Sequence, residues 1–182
     1  TIGGNIAENA GGKTAVRYGT CIDNLLAWNV AMPGGSFTVR RLDHPLRKIL
    51  PGDTVRWRVD DAAGRGVRTI ALAAEEIRKP GLWKDITNKA LGGVPGLQKE
   101  GTDGVITAAE FILHPRYEAA ATLCLEFFGD DMDEASEVIL ELVRAFPDAG
   151  DEALEALEHF DGQYVRAIDY RVKAARAGTP KA

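Results

Sequence analysis

Apolar and polar residues alternate through Val55, Arg56, Trp57, Arg58, Val59 and Asp60, the period-two signature of a half-buried strand. Residues 36–42 and 67–73 are further short β-type runs, and 61–66, rich in alanine and glycine, reads as the hairpin loop between the second and third of these strands. A turn of helix at Ile22–Leu26 leads into a predicted strand at Leu25–Met32. A short helix over Lys84–Leu91, closed by Gly92 and Gly93, precedes another strand at Val105–Leu113. Beyond Pro115 the pattern changes. Ala121–Phe128 reads as a strand, and Asp130 or Asp131 then caps a helix running to about Phe146. In that helix Val138, Ile139, Leu142, Val143 and Phe146 recur at helical spacing. Ala153–Phe160 has the pattern of the preceding strand and a composition that also suits a helix, and Gln163–Ala175 reads as helical. The fold class is α+β, in two parts, residues 1–114 and 115–182. The first holds a mixed or antiparallel sheet with flanking helices. The second, as strand, helix, strand, helix, resembles half of a ferredoxin-like domain.

Composition narrows the function classes. The chain has 182 residues, 45% hydrophobic and 27% charged, with a formal net charge of -5. That balance gives no electrostatic reason to expect nucleic acid or an anionic membrane as partner. No apolar run approaches the roughly 20 residues that span a bilayer, and no secretory signal pattern opens the sequence. Cys21 and Cys124 stand far apart in no metal-ligand spacing, which points to free thiols in a reducing, cytoplasmic setting. His44, His114 and His159 are equally scattered and read as surface or packing residues rather than metal ligands. Trp28, Trp57 and Trp83 are expected as buried anchors. The chain starts at Thr1 rather than a methionine, inside a motif, and is expected to be a piece of a longer protein.

Two glycine-rich segments carry the candidate chemistry. The first twelve residues, TIGGNIAENAGG, hold four glycines and two asparagines. Left-handed glycines can point successive N–H groups into one concavity, a nest for an anionic oxygen, and asparagine adds amide donors. A pair of tight turns is the structural alternative. KEGTDGVIT at 99–107 again sets glycines before a strand, as a backbone facing a planar heterocycle requires, or as an ordinary turn would have it. Neither is a Walker loop or a Rossmann fingerprint.

Together the segments bring a family into view. TIGGNIAENAGG, then YGT, then DNLLAWNVAMPGG resembles the second subdomain of the PCMH-type FAD-binding domain in FAD-linked oxidases related to D-lactate and glycolate dehydrogenases, of the vanillyl-alcohol-oxidase superfamily. KEGTDGVIT is similar to that family's SEGTLGIVT, and ATLCLEFFGDDMDEA and LEHFDGQYVRAI resemble the opening of its C-terminal substrate, or cap, domain. KDITNKALGGVPGLQKEGTDGVIT looks closest to a bacterial subgroup fused to iron–sulfur modules. The resemblance implies that Gly3, Gly4 and Asn5 line the pyrophosphate and flavin ring. Glu8, Asn9, Ala10, Gly11 and Gly12 would complete that wall, with Tyr18 and Gly19 turning beside it. Gly101, Gly104, Val105 and Ile106 would present backbone to the cofactor. Lys99 and Asp103 depart from the family's serine and leucine. Cys21 stands beside the implied wall, where the family has a polar residue and covalent flavin attachment is not expected.

The resemblance further implies an enzyme that oxidises a small 2-hydroxy acid with FAD and passes electrons to an acceptor, which the fused subgroup supplies as iron–sulfur centres. The family's first subdomain would precede Thr1 and its histidine-rich metal and substrate motif would follow Ala182. With one wall only, the isolated piece is expected to hold no tightly bound FAD and to be inactive. The competing class is a non-catalytic ferredoxin-like binding or docking module whose glycine-rich segments are merely loops.

Overall fold

The structure, a computed structural model, describes residues 1–79, 88, 90–126, 132–148 and 154–170. The chain divides into two units, Thr1–His114 and Pro115–Ala182. The first is an α+β unit built on one five-stranded antiparallel sheet. Its strands are β1 (Leu25–Met32), β2 (Gly35–Arg41), β3 (Thr54–Asp61), β4 (Gly66–Ala73) and β5 (Val105–Phe111), in the order β4-β3-β2-β1-β5. The alternation in β3 sets the two faces. Val55, Trp57 and Val59 are buried with Trp28, Val30, Val39, Ile70 and Leu72 from neighbouring strands. Arg56 and Arg58 point the other way, onto a polar face where Arg56 pairs with Asp43 at 2.8 Å, Arg58 with Asp60 at 2.7 Å and Arg40 with Glu110 at 3.7 Å.

Short helices complete the unit. They are α1 (Ile2–Glu8), α2 (Ala15–Tyr18), α3 (Cys21–Asn24) and α4 (Ala74–Ile77), with a 3₁₀ turn at Leu91–Gly93. Ile6, Ile22, Ile77 and Leu91 are all buried in the same core cluster as the inner face of the sheet. Trp28 is held in register by donating from Nε1 to the Pro95 carbonyl at 2.8 Å.

Several expectations change here. The TIGGN segment is not a nest of left-handed turns but helix α1. Thr1 Oγ1 caps it by accepting from Gly4 N at 3.0 Å, and Ile6 anchors it in the core. None of Gly3, Gly4, Gly11 and Gly12 has positive φ, and the left-handed residue of the segment is Asn9, at φ 51. The helix expected at Lys84–Leu91 lies largely outside the described residues, as does Trp83, but Gly92 and Gly93 at its end do have positive φ.

The described residues of the second unit contain two helices, α5 (Met132–Asp148) and α6 (Gly162–Ala167). The expected strand at Ala121–Phe128 is not formed over residues 121–126, and 127–128 lie outside the described residues. Residues 154–160 are neither strand nor helix, and α6 is shorter than the expected Gln163–Ala175, of which 171–175 are not described. No strand is formed among the described residues of the second unit for these segments to pair with, so apolar patterning alone does not make them β. The opening strand expected of a ferredoxin-like half is thus not formed over residues 121–126. No helix among the described residues is long and apolar enough to cross a membrane.

Candidate functional site

The two glycine-rich segments, far apart in sequence, form one wall. Gln98 N donates to Ile6 O at 3.1 Å and Glu100 N to Ala7 O at 2.9 Å, so the 97–101 turn is laid along the C-terminal half of α1. Nearer the start of the helix, a Cβ added to Gly3 would stand 3.7 Å from Ile106 Cβ at the start of β5. Gly104 lies so close to β1 that a Cβ there would approach Ala31 O at 2.5 Å, which fixes that position as glycine. Asp103 takes a structural part, accepting from Gly96 N at 2.8 Å, and Lys99 Nζ donates to Ala90 O at 2.6 Å while burial lowers its pKa.

The candidate residues differ in what they offer. Asn5, Glu8, Ala10, Gly11, Gly12, Gly101 and Val105 are exposed; Gly3, Gly4, Gly104 and Ile106 are half-buried; Asn9 is buried. Gly12 and Gly101 have no atom within 4 Å of where a side chain would begin, so a flat ligand can approach the main chain there. The exposed stretch thus offers mostly backbone and small residues, as a dinucleotide wall needs, and in that respect it fits FAD. The left-handed nest that would have gripped a pyrophosphate through Gly3 and Gly4 is absent, because those residues are helical.

Tyr18 and Gly19 lead into a corner that adjoins the Ala10–Gly12 end of the segment, where Cys21 N donates to Ala10 O at 3.0 Å. Tyr18 packs its ring on His114, centroids 4.4 Å apart, beyond the far end of β5 from Ile106. Asn24 ties the corner, donating to Tyr18 O at 2.9 Å while its Oδ1 meets His114 Nε2 at 2.7 Å. His114 is therefore a packing residue, and His44 is engaged with Arg47 at 3.0 Å.

Sequence reading missed the residue that holds this corner. Asp23 is fully buried, and its carboxylate accepts from Thr20 N at 2.8 Å, Ile49 N at 2.8 Å and Arg78 Nη2 at 2.7 Å. Arg41, also buried, donates to the Asp23 carbonyl at 2.9 Å. A Cβ at Gly19, whose φ is 76, would collide with the Asp23 carboxylate, so the Tyr18–Gly19 turn and the buried acid are fitted to each other. The only local hint was the Thr20–Asp23 spacing, which matches a helix cap; its distant partners left no pattern. Burial, with the Asp23 charge adding to it, pushes the Cys21 thiol up to about 12, which keeps it protonated and unreactive beside the wall.

Compared with known proteins, the chain matches no family model, no curated protein and no solved structure.

Proposed function

We propose that the chain is part of an FAD-linked oxidoreductase of the D-lactate/glycolate dehydrogenase type, cytoplasmic, with its first unit forming one wall of a PCMH-type flavin site and its second opening a cap domain. One observation carries the reading: segments 1–12 and 97–106, singled out in the sequence for flavin-type backbone contacts, are bonded side by side through Gln98 N–Ile6 O and Glu100 N–Ala7 O. Bound FAD would supply a two-electron acceptor for the hydride leaving the hydroxyl-bearing carbon of a small 2-hydroxy acid. The chain's part is to bind and orient. Gly12 and Gly101 leave the main chain open to a flat ligand, Gly104 seats β5 against β1, and α1 backs the turn. An electron acceptor, with iron–sulfur centres of the parent polypeptide as the expected kind, would complete turnover.

The test is the absorption spectrum of the full-length polypeptide that contains this chain. The reading expects the two-band spectrum of an oxidised flavin, bleached by D-lactate or glycolate under anaerobic conditions. A colourless protein would favour the docking-module alternative, and a flavin that no 2-hydroxy acid bleaches would retain the cofactor but remove the substrate class.

A further inference from the structure

We propose that Asn9 and Gln98 are the positioning pair of this wall, a buried amide clamp that fixes the 97–101 turn on α1. The inference rests on the flavin reading and reassigns Asn9 from a ligand contact to a support. Asn9 Nδ2 donates to Gln98 Oε1 at 3.1 Å across 89 residues of sequence. Both ends of the Asn9 amide are spent inside the protein, because its Oδ1 accepts from Ile22 N at 2.8 Å. Gln98 Nε2 reaches back to Asn88 O at 3.4 Å. Both side chains are buried, so a network that ties α1, α3 and the turn is sheltered from water, where each bond counts for more.

The main chain at these positions shows what the clamp resists. Asn9, Gln98 and Glu100 have φ of 51, 56 and 55, followed by Gly101 at 73. Side-chain-bearing residues avoid that region, so a turn carrying two of them in three positions needs outside support to persist. The clamp, with the Gln98 N–Ile6 O and Glu100 N–Ala7 O bonds, supplies it. The exposed product is Gly101, open to an approaching ligand. The clamp sets where Gly101 stands without touching what binds there.

The experiment compares Gln98→Gly and Gln98→Met in the full-length flavoprotein. Glycine removes the amide and also relieves the left-handed backbone, so comparison with methionine separates the clamp's part from that of the strained backbone. Methionine keeps the bulk and loses only the polar contacts. Gln98→Met should bind FAD about tenfold more weakly, the order of one lost buried hydrogen bond, and should shift the bound-flavin absorption. Gln98→Gly, relieved of the left-handed strain, should lie between Gln98→Met and wild type in both readouts. Wild-type affinity and spectrum in Gln98→Met, which keeps the left-handed strain and loses the amide, would overturn the clamp while leaving the flavin reading intact. A wild-type protein that binds no flavin would instead overturn the reading, and the clamp's role with it.

Discussion

The two units put apolar residues to opposite use. In the first, every buried hydrophobic side chain among the described residues falls between Ile6 and Leu97, and these residues come from strands, helices and the 91–97 turn alike. In the second, Leu123 is 76% exposed, and Leu125, Phe160, Tyr164 and Ile168 are all about half exposed or more. In the second unit Asp161 caps α6 by accepting from Gln163 N and Tyr164 N at 2.8 Å, Phe160 stacks on Tyr164 at 5.0 Å, and the distant contacts are polar, Tyr170 Oη meeting Cys124 Sγ at 3.4 Å and Glu126 Oε1 at 3.3 Å. A cap and a neighbouring ring pair hold one helical turn, whereas a core needs segments distant in sequence to share one face. The contrast teaches that apolar patterning is not sufficient. β3 becomes a strand because β2 and β4 stand on either side of it; residues 121–126 have similar β-type composition and no such neighbours among the described residues.

The contrast can be broken or sharpened by experiment. The largest expected effect is chemical. Cys21 is buried and its thiol is pushed up to about 12 by that burial and by the Asp23 charge, while Cys124 is exposed. A coloured disulfide reagent should therefore release one fast equivalent per chain and a second only as the first unit opens; two equivalents at one rate would show that Cys21 is not enclosed. Next in size, Trp57→Ala empties the centre of the sheet's inner face and should cost about 3–5 kcal/mol in urea unfolding. Phe160→Ala in the second unit should cost less than about 1 kcal/mol, its ring being half exposed. Equal losses would erase the distinction between the units.

Acid should act through a pinned loop of the first unit. Arg47 meets Asp53 in a two-pronged pair, at 2.6 and 2.9 Å, and this hydrogen bonding holds the Asp53 carboxyl far below the usual carboxylate range. A folded-state value below the unfolded one means that the stabilisation is complete above about pH 4 and drains away as pH falls toward the folded value. Asp53→Asn should flatten the acid limb of the stability curve of the first unit; an unchanged limb would assign the acid sensitivity elsewhere. Smallest of all, Leu123→Ser should shift stability by no more than about 0.5 kcal/mol, and a larger loss would mean that this leucine is covered.

The sequence made β1 legible to the residue, Leu25–Met32, and β3 nearly so, because a half-buried strand writes its own alternation. Helix α1 was illegible for a physical reason. Two adjacent glycines oppose a helix by propensity, and only the Thr1 cap and the burial of Ile6 against residues far along the chain tip the balance. Within the candidate wall, glycine density marked the right segments but not their supports. Gln98 lies 89 residues from Asn9, and Asp23 meets Ile49 and Arg78 at separations of 26 and 55, distances at which one sequence carries no periodic trace.

The strand order β4-β3-β2-β1-β5 also has a meaning in time. Strands β1, β2 and β3 each pair with the next strand in sequence, while β5 joins β1 only after the chain from 73 to 105 has been traversed. Closing that long excursion costs more chain entropy than closing the hairpins, so the four-stranded meander is the earlier assembly and docking of β5 the later one. The wall made by α1, the 97–101 turn and Ile106 belongs to this late step. Amides of β5 should therefore exchange with solvent through smaller openings than those of β2 and β3, and a uniform pattern would contradict this order. Any ligand gripping the wall would then act as a latch on the last event of assembly, raising the barrier to the first event of unravelling.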